Sequence, residues 1–116
     1  MDVDLSSEDL AFQDEVRAFL ADNAHDPKTD YGQWRMNWFE KATAKGGWDV
    51  PKWPVAFGGP GWTPTQHYIW EKETAVAQTP WDLPFGLSML APVLMNYGNE
   101  EQQSRFLPDI RARKVN

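Results

Sequence analysis

The sequence predicts an all-α fold, a bundle of about five short helices with one Pro/Gly-rich connection. Three observations support this fold class. Apolar residues recur at the three- and four-residue spacing of amphipathic helices, most of these segments open with a capping residue, and no pair of alternating runs indicates strands. The chain has 116 residues, enough for one domain that buries an ordinary core without disulfides.

The first two helices are predicted from their caps and apolar stripes. The first covers residues 5–23, with Ser6 as its cap and Asp9 at the third helical position. The second covers residues 31–45 and ends at Gly46, because glycine readily takes the left-handed conformation that terminates helices.

The segment 48–62 connects the second helix to the third. Its prolines and glycines exclude a regular helix, and its apolar side chains favour an ordered loop, because a flexible linker would not carry them. The third helix then starts with Thr63 as cap and Gln66 three residues later, which form a capping box. It runs to about residue 78 and is ended by Thr79-Pro80, because proline pushes the preceding residue out of the helical region.

Two further helices are predicted in the last third of the chain. Apolar residues across 87–94 mark the fourth. Pro92 cannot donate a hydrogen bond to the Ser88 carbonyl, so it either kinks this helix or is tolerated near its first turn. Asn99 caps the fifth helix, and Gln102 closes its capping box. Pro108 is expected to interrupt that helix or to start a new turn.

Composition excludes several classes of function. A net charge of −6 makes nucleic acid and anionic membrane surfaces poor partners. No apolar run approaches the roughly 20 residues that cross a bilayer, and the acidic N-terminus does not resemble an export signal. The chain has no cysteine, which fits a reducing compartment, so we expect a cytoplasmic protein.

No pattern of ionisable residues in the sequence indicates an active site. His67 and Glu71 lie one helical turn apart, but a metal needs further ligands, and a surface pair is the simpler interpretation. The segment 57–61 lacks the lysine and glycine spacing of a phosphate loop and is better explained as backbone turning. We therefore predict no catalytic, cofactor-binding or metal-binding residue in this chain. The surroundings mark none of the candidate acids or bases as buried: Glu40, Glu71, Glu73, Glu100 and Glu101.

Seven tryptophans are many for so short a chain. They fit either a small core built from large side chains or an aromatic surface that contacts another domain or subunit. The sequence leaves both interpretations open.

The order of several motifs resembles the N-terminal domain of the acyl-CoA dehydrogenases across essentially the whole chain. The segments 62–70 and 84–89 look particularly like the large subunit of the pimeloyl-CoA dehydrogenase type. The motifs, in order, are Trp53-Pro54, Phe57-Gly58-Gly59 and Gly61, then Glu71 with Glu73, then Pro92-Val93-Leu94, Gly98-Asn99-Glu100-Glu101-Gln102 and Phe106-Leu107-Pro108.

This resemblance implies that residues 1–116 form the helical N-terminal domain of an FAD-dependent acyl-CoA dehydrogenase, an enzyme of fatty-acid metabolism. A central β domain and a C-terminal helical domain would then lie outside the chain, with the catalytic base and most flavin contacts. The complete enzyme would convert acyl-CoA thioesters to 2,3-enoyl-CoA, pass electrons to an electron-accepting flavoprotein and form homo- or hetero-oligomers. The chain alone would be inactive.

The resemblance also implies that this domain supplies one wall of the acyl pocket, near the kink at Pro92. The alternative is a free-standing helical interaction module that docks on a complete dehydrogenase subunit through its tryptophans. The residues expected in the pocket wall are Pro84, Phe85, Leu87, Ser88 and Met89.

Overall fold

The structure, a computed structural model, describes residues 4–80 and 85–113, with the backbone alone at residues 85 and 86. Within these residues it contains helices and turns and no strand, so the predicted all-α class is confirmed. The α-helices are α1 (Ser7–Asp22), α2 (Tyr31–Ala44), α3 (Pro64–Ala77), α4 (Ala91–Tyr97) and α5 (Glu100–Arg111). A 3-10 turn (Val55–Phe57) lies in the connection after α2, and a π-helix (Phe85–Leu90) precedes α4.

Three of the helices begin with the capping boxes that the sequence predicts. At α1 the Ser6 hydroxyl accepts from the Asp9 backbone N–H at 3.1 Å, and the Asp9 carboxylate accepts from the Ser6 N–H at 3.2 Å. Each box satisfies two backbone donors that a helix start would otherwise leave unpaired. The other two boxes join Thr63 with Gln66 at α3 and Asn99 with Gln102 at α5.

The described chain divides into two compact units, and the boundary crosses α2 between Trp38 and Phe39. In the first unit, residues 4–38 and 62–80, helices α1 and α3 pack together. The Phe19 ring of α1 lies 6.4 Å from the Trp70 ring of α3 and 5.6 Å from the Trp38 ring of α2, between centroids. Ile69 and Val16 are fully buried there.

The second unit, residues 39–61 and 85–113, builds its own core. Buried side chains from the loop, from α4 and from α5 form one cluster, and partly buried apolar residues pack around it. The buried members are Val50, Trp53, Ala91, Leu107 and Ile110, and the partly buried ones are Phe57, Leu87, Leu94 and Met95.

The tryptophans mostly belong to these cores. Four of them are buried and two are half-buried. This agrees with the interpretation of a small core built from large side chains. The buried ones are Trp38, Trp48, Trp53 and Trp70, the half-buried ones are Trp34 and Trp62, and Trp81 lies outside the described residues.

The expectation that Pro108 interrupts the fifth helix was wrong, since α5 continues through Pro108 to Arg111. A proline inside a helix removes one N–H donor, here the one that would reach the Ser104 carbonyl. Leu107 and Ile110 are buried on either side of Pro108, and this packing holds the last turn in helical form.

Candidate functional site

The segment that leads into α4 differs from the single α-helix that the sequence predicts. Phe85–Leu90 is π-helical and passes directly into α4, whose first turn contains Pro92. A π-helix pairs a carbonyl with the N–H five residues later, so the Leu87 carbonyl is matched to Pro92, which has no N–H. The indole N–H of Trp53 donates to the Leu87 carbonyl instead, at 3.2 Å.

The inner side of this segment is fixed to the core of the second unit. Ala91 is fully buried, and Leu87, Leu94 and Met95 pack against the buried cluster around Trp53. The carbonyl groups at the end of α4 accept hydrogen bonds from a side chain of α5. The Gln103 amide donates to the carbonyls of Leu94, Met95 and Gly98 at 3.0, 3.3 and 3.2 Å.

The outer side of the same segment is apolar and exposed. Met89 is 58% exposed and Val93 52% exposed, and Leu90 and Tyr97 also reach the surface. Leu90, Val93 and Tyr97 follow the i, i+3, i+7 spacing of one helix face. A helix that is apolar on all sides is normally covered on all sides, which marks this face as a contact surface.

Four of the five predicted wall residues lie on the π-helix of this segment. Leu87 is half-buried against the core, and Ser88 and Met89 lie exposed beside it on the π-helix. Phe85 belongs to the same π-helix by its backbone, and Pro84 lies outside the described residues.

A groove in the second unit was not found from the sequence. Its volume is about 370 Å³, and its lining combines apolar rings with a few polar groups. Pro108 lies on it beside Ser104, whose carbonyl lacks a helical donor as a result. The lining residues are Trp53, Phe57, Gln103, Ser104, Leu107, Pro108 and Arg111.

A buried cluster of one carboxylate and two guanidinium groups lies at the end of α5 and was not predicted from the sequence. The Asp49 carboxylate accepts from Nε and Nη2 of Arg111, both at 2.9 Å, and from Nη1 of Arg113 at 3.3 Å. The Asp49 backbone carbonyl accepts from Arg113 Nη2 at 2.7 Å, and the same guanidinium stacks on the Phe39 ring at 3.8 Å. The hydrogen bonds to Asp49 raise the pKa of Arg111, so the guanidinium of Arg111 stays protonated.

The glycine-rich loop serves internal packing, in agreement with the sequence interpretation. A Cβ on Gly59 would overlap the Trp53 carbonyl, and one on Gly58 would meet the guanidinium of Arg111. Gly58 also has a φ of +100°, which favours glycine. The chain's own atoms therefore occupy the space beside the backbone at Gly58 and Gly59.

The expectation that no glutamate is buried was wrong for Glu73 on α3. Its carboxylate is nearly enclosed and accepts from Arg17 of α1, at 2.9 Å from Nε and 3.4 Å from Nη2. These hydrogen bonds and the charge of Glu73 raise the pKa of Arg17. The pair ties α1 to α3, which explains the buried acid without a catalytic role.

No other cluster of ionisable groups forms a site in the described part of the chain. Residues 4–80 and 85–113 contain no group of three or more histidine, cysteine, aspartate or glutamate side chains able to hold a metal ion. His67 is half-buried and lies edge-on against Trp62, with 5.5 Å between ring centroids, a packing contact that its interpretation as a surface pair with Glu71 did not include. Among the described helices, none is long and apolar enough to cross a bilayer.

Comparison with known proteins gives one consistent family. The family model for the acyl-CoA dehydrogenase N-terminal domain matches residues 6–114. The acyl-CoA dehydrogenase IpdE1 of Mycolicibacterium smegmatis is 32% identical over an alignment that covers 85% of this chain and 28% of that protein. The acyl-CoA dehydrogenase FadE26 of Mycobacterium tuberculosis is 39% identical over 57% of this chain and 16% of its own length.

A solved structure shows the same fold. A chain in the crystal structure of the ChsE4–ChsE5 complex from Mycobacterium tuberculosis superposes with a TM-score of 0.72 at 26% identity, over all of this chain and 30% of that one. The chain thus spans less than a third of the length of these relatives. By its sequence match and its helical fold, the chain belongs to the acyl-CoA dehydrogenase N-terminal domain family.

Proposed function

We propose that this chain acts as the N-terminal domain of an FAD-dependent acyl-CoA dehydrogenase, and that it supplies scaffold and one wall of the acyl pocket. The central β domain, the C-terminal helical domain and the catalytic base would belong to parts of the enzyme outside residues 1–116. The family match and the partial coverage of much longer relatives support this division. Acyl-CoA would be the substrate of the complete enzyme, which we expect in the cytoplasm.

The proposed reaction removes two hydrogens from the acyl chain, a proton from the α-carbon and a hydride from the β-carbon, and leaves a 2,3-enoyl-CoA. FAD supplies the hydride acceptor in this chemistry. The glycine-rich loop of this chain does not fit the cofactor, because its glycines are packed against Trp53 and Arg111. We therefore assign no FAD contact to the described residues.

One observation carries the proposed wall. The segment 87–89 has a fixed inner side and a free outer side, because Leu87 is tied to Trp53 and the core while Ser88 and Met89 are exposed. Side chains on such an anchored segment can hold an acyl chain in one orientation, which is the contribution that positioning makes to catalysis. Pro84 and Phe85 complete the proposed wall by their place in the sequence.

Substitution of Ser88 tests the wall. In the complete enzyme, Ser88→Trp should lower kcat/KM for long acyl-CoA thioesters about tenfold or more relative to short ones, because the indole fills space beside the chain. The flavin content should stay at the wild-type level. Val76→Trp, on the exposed surface of α3, is the matched control and should leave the profile unchanged. An unaltered chain-length profile in Ser88→Trp would contradict the assignment.

The division of the enzyme into domains has its own test. Titration of FAD into the isolated 116-residue chain should give little or no binding, whereas the complete enzyme should bind it stoichiometrically. Tight binding by this chain alone would show that the domain assignment is wrong.

A second candidate is the interaction module that docks on a complete dehydrogenase subunit, and the exposed face of α4 favours it. The core positions of four tryptophans remove most of the aromatic surface first considered for such docking. Stable co-elution of the 116-residue chain with a complete dehydrogenase subunit would support this candidate. We also propose that the complete enzyme is a homo- or hetero-oligomer and passes its electrons to a separate flavoprotein. The ChsE4–ChsE5 complex shows that a protein of this fold can occur in an assembly of two different chains.

A further inference from the structure

We propose that the buried cluster of Asp49, Arg111 and Arg113 acts as a latch: it fixes the direction in which the polypeptide leaves α5 and thereby positions the part of the enzyme that follows. The second half of this inference rests on the proposed function, because only the complete enzyme has a central domain to position. The latch itself belongs to the second compact unit and can be tested in this chain alone.

Arg113 lies where the direction of the chain after α5 is set. The helix ends at Arg111 and is capped by Ala112, whose N–H donates to the Pro108 carbonyl at 2.9 Å. The N–H of Arg113 donates to the Ile110 carbonyl at 3.0 Å, and its φ is +60°. A single left-handed residue at this place turns the chain away from the helix, so the torsion angles of Arg113 determine where the chain goes next.

The left-handed conformation favours glycine over arginine at this position. A side chain brings its Cβ close to the following carbonyl oxygen in this conformation, which costs free energy, whereas glycine adopts it without that contact. Glycine is therefore the usual residue just beyond a helix cap. The arginine at position 113 is maintained in this conformation by the contacts of its side chain.

These contacts hold the Arg113 guanidinium on several sides. Nη1 donates to the Asp49 carboxylate at 3.3 Å and to the Arg111 carbonyl, and Nη2 donates to the Asp49 backbone carbonyl at 2.7 Å. The guanidinium also stacks on the Phe39 ring of α2, at 3.8 Å from the centroid. Only 5% of the Arg113 side chain is exposed. The side chain thus joins the end of α5 to α2 and to the loop that follows α2.

Asp49 is a fixed anchor for this side chain. Its own side chain is fully buried, and its carboxylate also accepts two hydrogen bonds from Arg111 at 2.9 Å. Its neighbours in the sequence, Trp48 and Val50, are buried as well, and the Trp48 N–H donates to the Ala42 carbonyl at 3.2 Å. Arg113 is therefore bound to a part of the unit that is itself held by the core.

The chemistry of the cluster favours a positioning role over stability alone. A buried ion cluster adds little net stability relative to well-packed apolar side chains, because removing charges from water costs about as much free energy as their pairing returns. A guanidinium is planar, and its hydrogen bonds to a carboxylate have a defined geometry. One arrangement of the Arg113 side chain, combined with one backbone conformation, gives the chain one direction as it leaves α5.

Trypsin measures release of the latch, because cleavage after Arg113 requires its guanidinium to leave Asp49 and enter the binding pocket of the protease. Asp49→Asn keeps the shape of the side chain and removes its charge. Cleavage of the isolated chain after Arg113 should then become about tenfold faster or more, since hydrogen bonds to charged groups hold the closed form by about this factor. Asp109→Asn, on the exposed surface of α5, is the matched control and should leave the rate unchanged.

The positioning role is tested in the complete enzyme by double electron–electron resonance between two nitroxide labels. One is attached at Glu101→Cys, on the exposed first turn of α5, and the other at a cysteine in the central domain; the present chain has no cysteine that would compete for the label. The wild type should give one narrow distance distribution. Arg113→Gly keeps the left-handed backbone accessible but removes the latch, and it should lose this narrow distribution.

Arg17→Ala is the matched control for lost stability. It breaks the other enclosed ion pair, between Arg17 of α1 and Glu73 of α3, and it leaves the contacts at the end of α5 in place. It should lower the free energy of unfolding, as Arg113→Gly does, but keep the narrow distance distribution.

The outcomes separate the latch from the proposed function. Equal trypsin rates for the wild type and Asp49→Asn would overturn the latch. Faster cleavage with an unchanged distance distribution in Arg113→Gly would overturn the positioning role, and so would a broadened distribution in Arg17→Ala, which would reduce the effect to lost stability. A failure of the proposed wall would appear instead in the chain-length profile of Ser88→Trp, which the latch does not affect.

Discussion

Replacement of Asp49 by alanine should strongly destabilise the chain, because it leaves two guanidinium groups without their shared carboxylate. The Asp49 side chain is 0% exposed, the Arg113 side chain 5% and the Arg111 side chain 26%. Removal of one partner from a buried ion pair costs about 3–5 kcal/mol. The partial exposure of Arg111 lets that group regain some hydration, so we expect the lower end, about 3 kcal/mol.

This loss is large relative to the stability of a domain, which is about 5–15 kcal/mol. For a chain of this size, each kcal/mol lowers the melting temperature by about 4 °C, so Asp49→Ala should lower it by about 12 °C. Urea denaturation of the 116-residue chain, followed by tryptophan fluorescence and by circular dichroism, gives the free energy of unfolding directly.

Asp109→Ala is the matched control, because it removes the same side chain from the exposed surface of α5. It should change the free energy of unfolding by less than about 0.5 kcal/mol. An Asp49→Ala variant within about 1 kcal/mol of the wild type would refute the argument that the buried cluster stabilises the end of α5.

Three further changes give distinct outcomes. Gly59→Ala should lower the free energy of unfolding by about 3 kcal/mol, because the new Cβ overlaps the Trp53 backbone. In the same urea assay, Gly32→Ala on α2 should leave the free energy of unfolding within about 0.5 kcal/mol of the wild type. Equal effects of the two substitutions would contradict the packing argument. Arg113→Gly relieves a left-handed φ of +60°, worth about 1 kcal/mol, but loses its bonds to the buried carboxylate, so net destabilisation is expected and a stabilised variant would contradict it. Because folding raises the pKa of Arg111, the stability that its charge contributes is complete below the unfolded-state pKa and is lost only in strongly alkaline solution. The difference in unfolding free energy between the wild type and Arg111→Gln should therefore be equal at pH 7 and pH 10. A smaller difference at pH 10 would contradict the upward direction of the pKa shift.

The helices could be predicted from the sequence because their signals are local. A capping box such as that of Ser6 with Asp9 needs two residues three positions apart, and the structure contains three of the predicted boxes. The predicted end of the third helix, at about residue 78, agrees with the structure, in which the helix ends at Ala77. The left-handed conformation of its cap, Gln78, with a φ of +53°, was not predicted.

The buried ion pairs could not be predicted, because their partners are distant in the sequence. Asp49 and Arg111 are 62 residues apart, and Glu73 and Arg17 are 56 apart. A lone acid in a sequence is most often solvated, so Glu73 was interpreted as a surface residue. Only the packing of α1 against α3 shows that its carboxylate is enclosed.

The prediction for the segment before α4 was partly correct. Pro92 correctly marks a departure from regular α-helix, because its missing N–H is a local property. The form of the departure depends on Trp53, whose indole reaches the Leu87 carbonyl from 34 residues away. A prediction from spacing alone therefore gives the place of the irregularity and not its hydrogen-bonding register.

Trp53 also explains why the motif that carries the family resemblance belongs with the proposed wall. Its ring lies in the core cluster, its indole N–H holds the π-helix at Leu87, and its carbonyl packs against Gly59, where only glycine fits. The Trp-Pro and Gly-Gly elements of the loop thus support a segment whose Leu87 lies 34 residues after Trp53. Their function in this domain is mechanical: the loop fixes the inner side of the π-helix, and Ser88 and Met89 are held at the surface as a consequence.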